Sequence, residues 1–205
     1  MIHTVHHKML GLVTVSKSFI VDEGDVVLID TGLTGGSAGI ILSKLKEMGR
    51  DPKDVELCIL THRHRDHVGG LKRLKEACGF RVAAHRMEAE AIKKATGVQV
   101  DESLNDGDVI SSCGGIRVVH VPGHTAGNIC LLLGNVLFSG DAFFGNEGSL
   151  RAPPTRYSSD PEAAKRNLTS LVTYDFDVIY TSHGRDIVTG AKDKYHAFLK
   201  GLDAA

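Results

Sequence analysis

Thr61-His62-Arg63-His64-Arg65-Asp66-His67-Val68-Gly69-Gly70 is the stretch on which the reading of this sequence turns. It follows an apolar run of strand length, Val55–Leu60, and leads into helical periodicity near Val68. His62 and His64 are two apart, so in extended chain their side chains point the same way and can grip one cation. Asp66 and His67 lie past the bend, where they can face a neighbouring position. A single histidine here would read as a solvated turn residue, and Asp66 alone as a helix cap. The cluster as a whole points to metal.

Three later residues extend it. His124 stands in Val121-Pro122-Gly123-His124-Thr125, directly after the apolar run Ile116–Val121. Asp141 follows Val136–Phe138 in Phe138-Ser139-Gly140-Asp141, and His183 follows Val178–Tyr180 in Tyr180-Thr181-Ser182-His183-Gly184. Each donor sits beyond a strand end with glycine beside it. Loops at strand ends are held by a rigid sheet, and glycine permits close backbone approach. His62, His64, Asp66, His67, His124, Asp141 and His183 together supply five imidazoles and two carboxylates, enough donors for two metals.

Other strand-length runs are Leu12–Val15, Phe19–Val21, Val26–Ile29, Arg81–Ala84 and Ile129–Leu133. Asp22-Glu23-Gly24-Asp25 and Gly134-Asn135 read as hairpin turns, so part of the sheet is antiparallel. Helical spacing appears at Ile40, Ile41, Leu45 and Met48, opened by Ser37 and closed by Gly49, and again over Val68–Ala77. Arg86–Ala95, Pro161–Val172 and Lys192–Leu202 are further helices, with Asp160 capping a start that has proline at its first position. The intermixed elements predict one α/β domain over residues 1–205. A faint echo between Val26–Gly32 and Asn135–Asp141, each a hairpin's second strand ending in an acid beside glycine, hints at two similar halves.

Composition narrows the partners. Twenty-four Lys+Arg against 25 Asp+Glu give a net charge of -1, which offers no basic excess to track a nucleic acid. The apolar stretch from Met9 to Val15 is too short to span a membrane, and no small-residue cleavage site follows it. Cys58, Cys78, Cys113 and Cys130 show no CxxC spacing and read as buried free thiols in a reducing compartment. The expectation is a cytoplasmic protein with no membrane and no nucleic-acid partner.

The ordered set HxHxDH, PGHT, SGD and SHG resembles the metallo-β-lactamase superfamily over about Val13 to Gly184. The resemblance implies a four-layer αββα sandwich of two mixed β-sheets flanked by helices. It also implies a two-metal site, zinc first, with iron or manganese as alternatives. His62, His64 and His124 would hold one metal, Asp66, His67 and His183 the other, and Asp141 would bridge them. Asp30, in Ile29-Asp30-Thr31-Gly32, matches the family's first motif, an acid that steers a ligand histidine. The implied chemistry is hydrolysis by a metal-bridging hydroxide, with Asp66, His62 and His64 as the catalytic group and Asp66 orienting the nucleophile or relaying a proton.

Departures narrow the branch. Members that hydrolyse β-lactams usually carry Cys or Ser where Asp141 stands, and oxygen-reducing di-iron members carry Glu where His64 stands. What remains resembles glyoxalase II (hydroxyacylglutathione hydrolase), its short relatives, the lactonases and persulfide dioxygenase, the glyoxalase II match being strongest at Thr61–Gly70 and Phe138–Asp141. Two features depart from it: Asn128 replaces the expected histidine, and the 205 residues hold no counterpart of the helical glutathione-binding domain. A short thioesterase-like hydrolase acting on a small-molecule acyl substrate is the leading reading, with a homodimer as the oligomer left open. A lactonase, a phosphodiesterase and a mononuclear iron persulfide dioxygenase using His62, His124 and Asp141 are its rivals. Phe143–Tyr157 reads as a loop over the site, whose Arg151, Arg156 and Tyr157 could meet an anionic substrate or simply be solvated. His3, His6, His7, His85, His120 and His196 are read as bystanders.

Overall fold

The computed structural model describes residues 1–9 and 13–203; Leu12, where the expected Leu12–Val15 strand begins, and Leu10 and Gly11 of the Met9–Val15 run lie outside them. The chain divides into two compact units, Met1–Leu104 with Ser111–Gly114, and Asn105–Ile110 with Gly115–Ala205.

The first unit runs β1 (Ile2–Met9), β2 (Val13–Glu23), β3 (Asp25–Ile29), α1 (Gly35–Glu47), β4 (Val55–Leu60), α2 (Arg65–Val68), α3 (Leu71–Cys78), β5 (Arg81–His85), α4 (Ala89–Thr96) and β6 (Glu102–Leu104). Its strands form one mixed sheet in sequential order. The first three are antiparallel and β3 to β6 are parallel. The switch follows from the connections. Gly24, at φ 96°, lets Glu23 pair with Asp25 across the expected hairpin, whereas parallel neighbours need helical crossovers. Apolar faces of those helices (Ala38, Ile41, Leu45, Leu71, Leu74, Ile92) pack on alternate strand residues, among them Val26, Leu28, Cys58, Leu60, Val82 and Ala84. Each fully buried Leu or Ile contributes roughly 1.5–3 kcal/mol.

Helix boundaries in this unit differ from the sequence reading, α4 for one beginning at Ala89 and not at Arg86. Thr34 caps α1, accepting from Gly36 and Ser37, while Ser37 is the third helical residue and returns the bond to the Thr34 amide. The helix expected over Val68–Ala77 is two helices broken at Gly69-Gly70. These glycines press on the loop after β3: a Cβ on Gly69 would lie 1.9 Å from the Leu33 carbonyl oxygen, and one on Gly70 2.3 Å from that of Thr31.

The second unit runs β7 (Val109–Ile110), β8 (Ile116–His120), β9 (Ile129–Leu133), β10 (Val136–Phe138), β11 (Phe144–Asn146), β12 (Ser149–Arg151), α5 (Pro161–Asn167), β13 (Val178–Tyr180) and α6 (Ala191–Asp203). Five strands form a sheet ordered β13-β10-β9-β8-β7, antiparallel except for β10 beside β13. Asp160 caps α5, its carboxylate accepting from the Ala163 amide at 2.9 Å. Val119, Val121, Cys130, Leu137 and Ile179 of this sheet pack with Leu168, Leu171, Tyr195 and Phe198. The expected loop Phe143–Tyr157 contains the β11–β12 ribbon, whose three-residue strands are too short to show a period.

All four cysteines are free and buried, as expected. Burial raises the thiol pKa of each, that of Cys78 to about 11. Among the described residues no helix is long and apolar enough to cross a membrane.

Candidate metal centre

In the first unit β4 delivers the chain to Thr61, the chain bends at Thr61 and Arg63, and His64, in extended backbone, precedes α2 at Arg65. Asp66 and His67 therefore lie in the first turn of a helix, three residues earlier than the sequence periodicity places its start. The imidazoles gather. Ring centroids of His62 lie 4.7 Å from His64 and 4.1 Å from His67. Asp66 Oδ2 stands 3.6 Å from His67 Nε2. His62 and His67 have no exposed surface.

Asp30 organises this group. It is buried at φ 59°, a left-handed conformation that Asp tolerates better than most residues. Its Oδ1 accepts from the Thr61 amide at 2.9 Å, and its Oδ2 from the Thr61 hydroxyl at 2.8 Å and from His67 Nδ1 at 2.7 Å. A carboxylate here only accepts, so Nδ1 carries the proton and Nε2 of His67 the ligand lone pair. The Thr31 amide and hydroxyl both donate to the His67 carbonyl at 2.7 Å, and Ser16 donates to that of Asp66 at 2.9 Å. Asp30 thus meets the His67 ring, the contact that the sequence reading of a steering acid requires.

Two supports went unread in the sequence. Glu88 has no exposed surface and accepts from the Arg63 backbone amide at 3.0 Å and from its guanidinium at 3.0 and 3.2 Å, clamping the residue between His62 and His64. His7, read as a terminal bystander, is buried on β1. Its Nε2 lies 2.7 Å from Ser18 Oγ, and its ring stands where a Cβ on Gly32 would approach within 2.7 Å. Burial, helped by the fields of His67 and His6, pushes its pKa down to about 4. A glutamate at a helix start and a strand-edge histidine carry no periodic signal, so only the fold reveals them.

The second unit brings His124, Asp141 and His183 together. Asp141 Oδ2 lies 3.2 Å from His124 Nε2, and its Oδ1 lies 3.3 Å from His183 Nε2. One carboxylate thus offers a separate oxygen to each imidazole. Gly123, at φ 132°, brings the His124 turn against α5, where a Cβ would lie 2.1 Å from the Ala164 nitrogen. Asn128 ties the same turn together: its Nδ2 donates to the Val121 carbonyl at 3.1 Å and its Oδ1 accepts from the Asp141 amide at 3.3 Å. The departure from histidine therefore leaves a side chain that positions Asp141. Phe144 packs on His183 with ring centroids 4.4 Å apart, and the Gly145 amide donates to the His183 carbonyl at 2.9 Å.

The remaining candidates are accounted for locally. Arg151 stacks over Phe144 at 5.1 Å and Arg156 over Tyr157 at 4.6 Å. Ser139 donates to the carbonyls of Gly140 and Phe143, a turn role. His120 contacts the Ala126 carbonyl at 2.9 Å, and His85 accepts weakly from the Met87 amide at 3.4 Å. The donors collected in both units are imidazole nitrogens and carboxylate oxygens, a set that fits zinc, iron or manganese.

Comparison with known proteins follows the same lines. A sequence model of the metallo-beta-lactamase superfamily matches residues 10–183. Hydroxyacylglutathione hydrolase of Pseudomonas putida (strain W619) is 32% identical over 130 residues, covering 61% of this chain and 42% of that protein. The Klebsiella pneumoniae protein of the same name is 34% identical over 124 residues, covering 60% and 44%. The chain thus matches less than half the length of these relatives. Among solved structures, a metallo-beta-lactamase family protein from Thermus thermophilus aligns with a TM-score of 0.77 at 21% identity, covering 99% of this chain and 79% of that one. A beta-lactamase from Chitinophaga pinensis aligns with a TM-score of 0.74 at 20% identity, covering 93% and 86%. Both alignments show the shared fold, with its mixed sheets flanked by helices.

Proposed function

Because this chain belongs to the metallo-β-lactamase superfamily, we propose that it is a two-metal hydrolase of a thioester or a related acyl ester. His62, His64 and His124 would hold one divalent ion, zinc first, and Asp66, His67 and His183 the other, with Asp141 shared. The observation that carries this reading is the Asp141 carboxylate, whose two oxygens face His124 and His183 separately at 3.2 and 3.3 Å. A terminal ligand needs only one. When bound, such ions lower the pKa of water toward ~7 and polarise a carbonyl oxygen.

The chain's own groups prepare the site. Asp30 fixes His67 as an Nε2 donor, and the Glu88 clamp on Arg63 fixes the backbone between His62 and His64. Asp66, partly exposed beside His67, would accept a proton from the attacking water and return one to the leaving group. Acyl rather than β-lactam chemistry is supported by aspartate at position 141 and by the likeness to hydroxyacylglutathione hydrolases.

Elemental analysis of protein purified without added metal, followed by a thioester, lactone and phosphodiester panel, tests the proposal. About two divalent ions per chain and preference for the thioester are expected. One iron per chain with oxygen uptake on a persulfide would sink it, as would phosphodiester turnover far above that of any acyl substrate.

A further inference from the structure

His62 and His64 alternate with Arg63 and Arg65; Glu88 clamps Arg63, and the hydrolytic reading gives Arg65 no task. The first unit holds a cavity of about 430 Å³ lined by both arginines, by Lys72 and by Gly35 at the start of α1, over apolar Leu33 and Val68. Its volume lies within the usual range of small-ligand clefts. Three cations line it and no carboxylate does.

Elsewhere in this unit several cations pair with acids, although exposed Lys46, Arg86, Lys93 and Lys94 do not among the described residues. Arg50 pairs with Asp22 at 2.6 Å, Lys75 with Asp101 at 2.9 Å, and Arg81 with Glu102. Arg63 is matched by buried Glu88 at 3.0 Å. Arg65 and Lys72 are exposed and form no ion pair among the described residues. Lys72 lies in the first turn of α3, where the helix's positive end disfavours a cation. The first turn of α1, which reaches the cavity at Gly35, carries no acid to offset its own positive end. Like charges gathered in one concavity repel, and a bound anion relieves that repulsion.

We propose that this cavity binds a phosphate-type oxyanion through Arg65 and Lys72, at a site distinct from the histidine and aspartate donors. The anion is either a free ligand or a phosphate carried on a substrate's thiol arm. The two sources share one chemistry and differ in what they change.

Calorimetric titration of the metal-loaded protein with inorganic pyrophosphate tests the site. The probe is compared on wild type and on the Arg65→Gln/Lys72→Gln variant, both changes being on exposed side chains. Affinity should fall at least ~10-fold in the variant and weaken with added salt, as charge recognition requires. Equal affinity in both proteins would place pyrophosphate elsewhere, at the metal donors, and overturn the proposal; so would absence of binding to wild type at ~10 mM. With affinity lost, KM values for matched thioesters separate the sources. A rise confined to the phosphorylated carrier assigns the anion to substrate, and unchanged KM for both assigns it to a separate ligand.

Discussion

Asp30 Oδ2 lies 2.7 Å from His67 Nδ1, and neither side chain has exposed surface. The contact joins the residue after β3 to the first turn of α2, so one carboxylate sets both the orientation and the tautomer of a candidate ligand. Asp30→Asn keeps the size and tolerates the positive φ. Its amide, however, presents N–H or a weaker oxygen to Nδ1. If the amide donates, the His67 proton moves to Nε2 and the ligand lone pair is lost. Metal affinity at this position should fall ~10–100-fold with the fold retained. Metal content after dialysis, read beside circular dichroism, checks this; a variant that retains its full metal complement through dialysis would deny Asp30 the orienting role.

Asp141→Asn removes the shared negative charge while preserving shape. Metal content should drop from about two per chain toward one, with hydrolysis down at least ~100-fold. Since the side chain stands beyond the end of β10, outside the apolar core, thermal unfolding should shift little. Two tightly held metals and unimpaired turnover in this variant would contradict a bridging carboxylate.

Gly184 lies at φ 80°, and a Cβ there would stand 2.0 Å from the Gly145 carbonyl oxygen. Gly184→Ala must therefore push the β11–β12 ribbon off the His183 loop. The expected cost is about 2–4 kcal/mol in stability, combining backbone strain with overpacking. Metal affinity should weaken as His183 moves. Urea unfolding measures the first and metal competition the second; a midpoint equal to wild type would mean the loop relaxes without loss.

His7 gives a pH signature. Its folded pKa of about 4 is below the ordinary 6.5, so the fold favours the neutral ring. That contribution is complete above pH 6.5 and is lost as pH falls toward 4, where the unfolded chain alone has taken up the proton. The loss amounts to roughly 3 kcal/mol. His7→Gln keeps a partner for Ser18 but cannot titrate. Stability should then fall less steeply between pH 7 and pH 4 than in wild type. Parallel pH profiles would show that His7 titrates normally.

Much of this architecture was legible because it rests on local rules. Runs bounded by glycine and aspartate mark β4, β9, β10 and β13 with the same ends in sequence and structure. The echo between Val26–Gly32 and Asn135–Asp141 is also real locally: β3 and β10 each close an antiparallel hairpin and are followed by positive φ, at Asp30 and at Gly140. What escaped was set by tertiary packing. β1 reads Ile-His-Thr-Val-His-His, too polar to signal a strand until β2 pairs with it. The break between α2 and α3 comes from glycines pressed on the loop after β3, a contact made far along the chain. Glu88 reads as an ordinary helix-start acid until Arg63 is folded against it.

The four buried thiols have a kinetic consequence. With their pKa values raised, they are poor nucleophiles in the closed protein, and a thiol reagent can modify them only when the surrounding structure opens. Cys58, Cys78 and Cys113 belong to the first unit and Cys130 to the second. Peptide-resolved labelling therefore offers two built-in clocks. One rate common to all four would mean that the chain opens in a single event, whereas a faster Cys130 would show the second unit breathing independently.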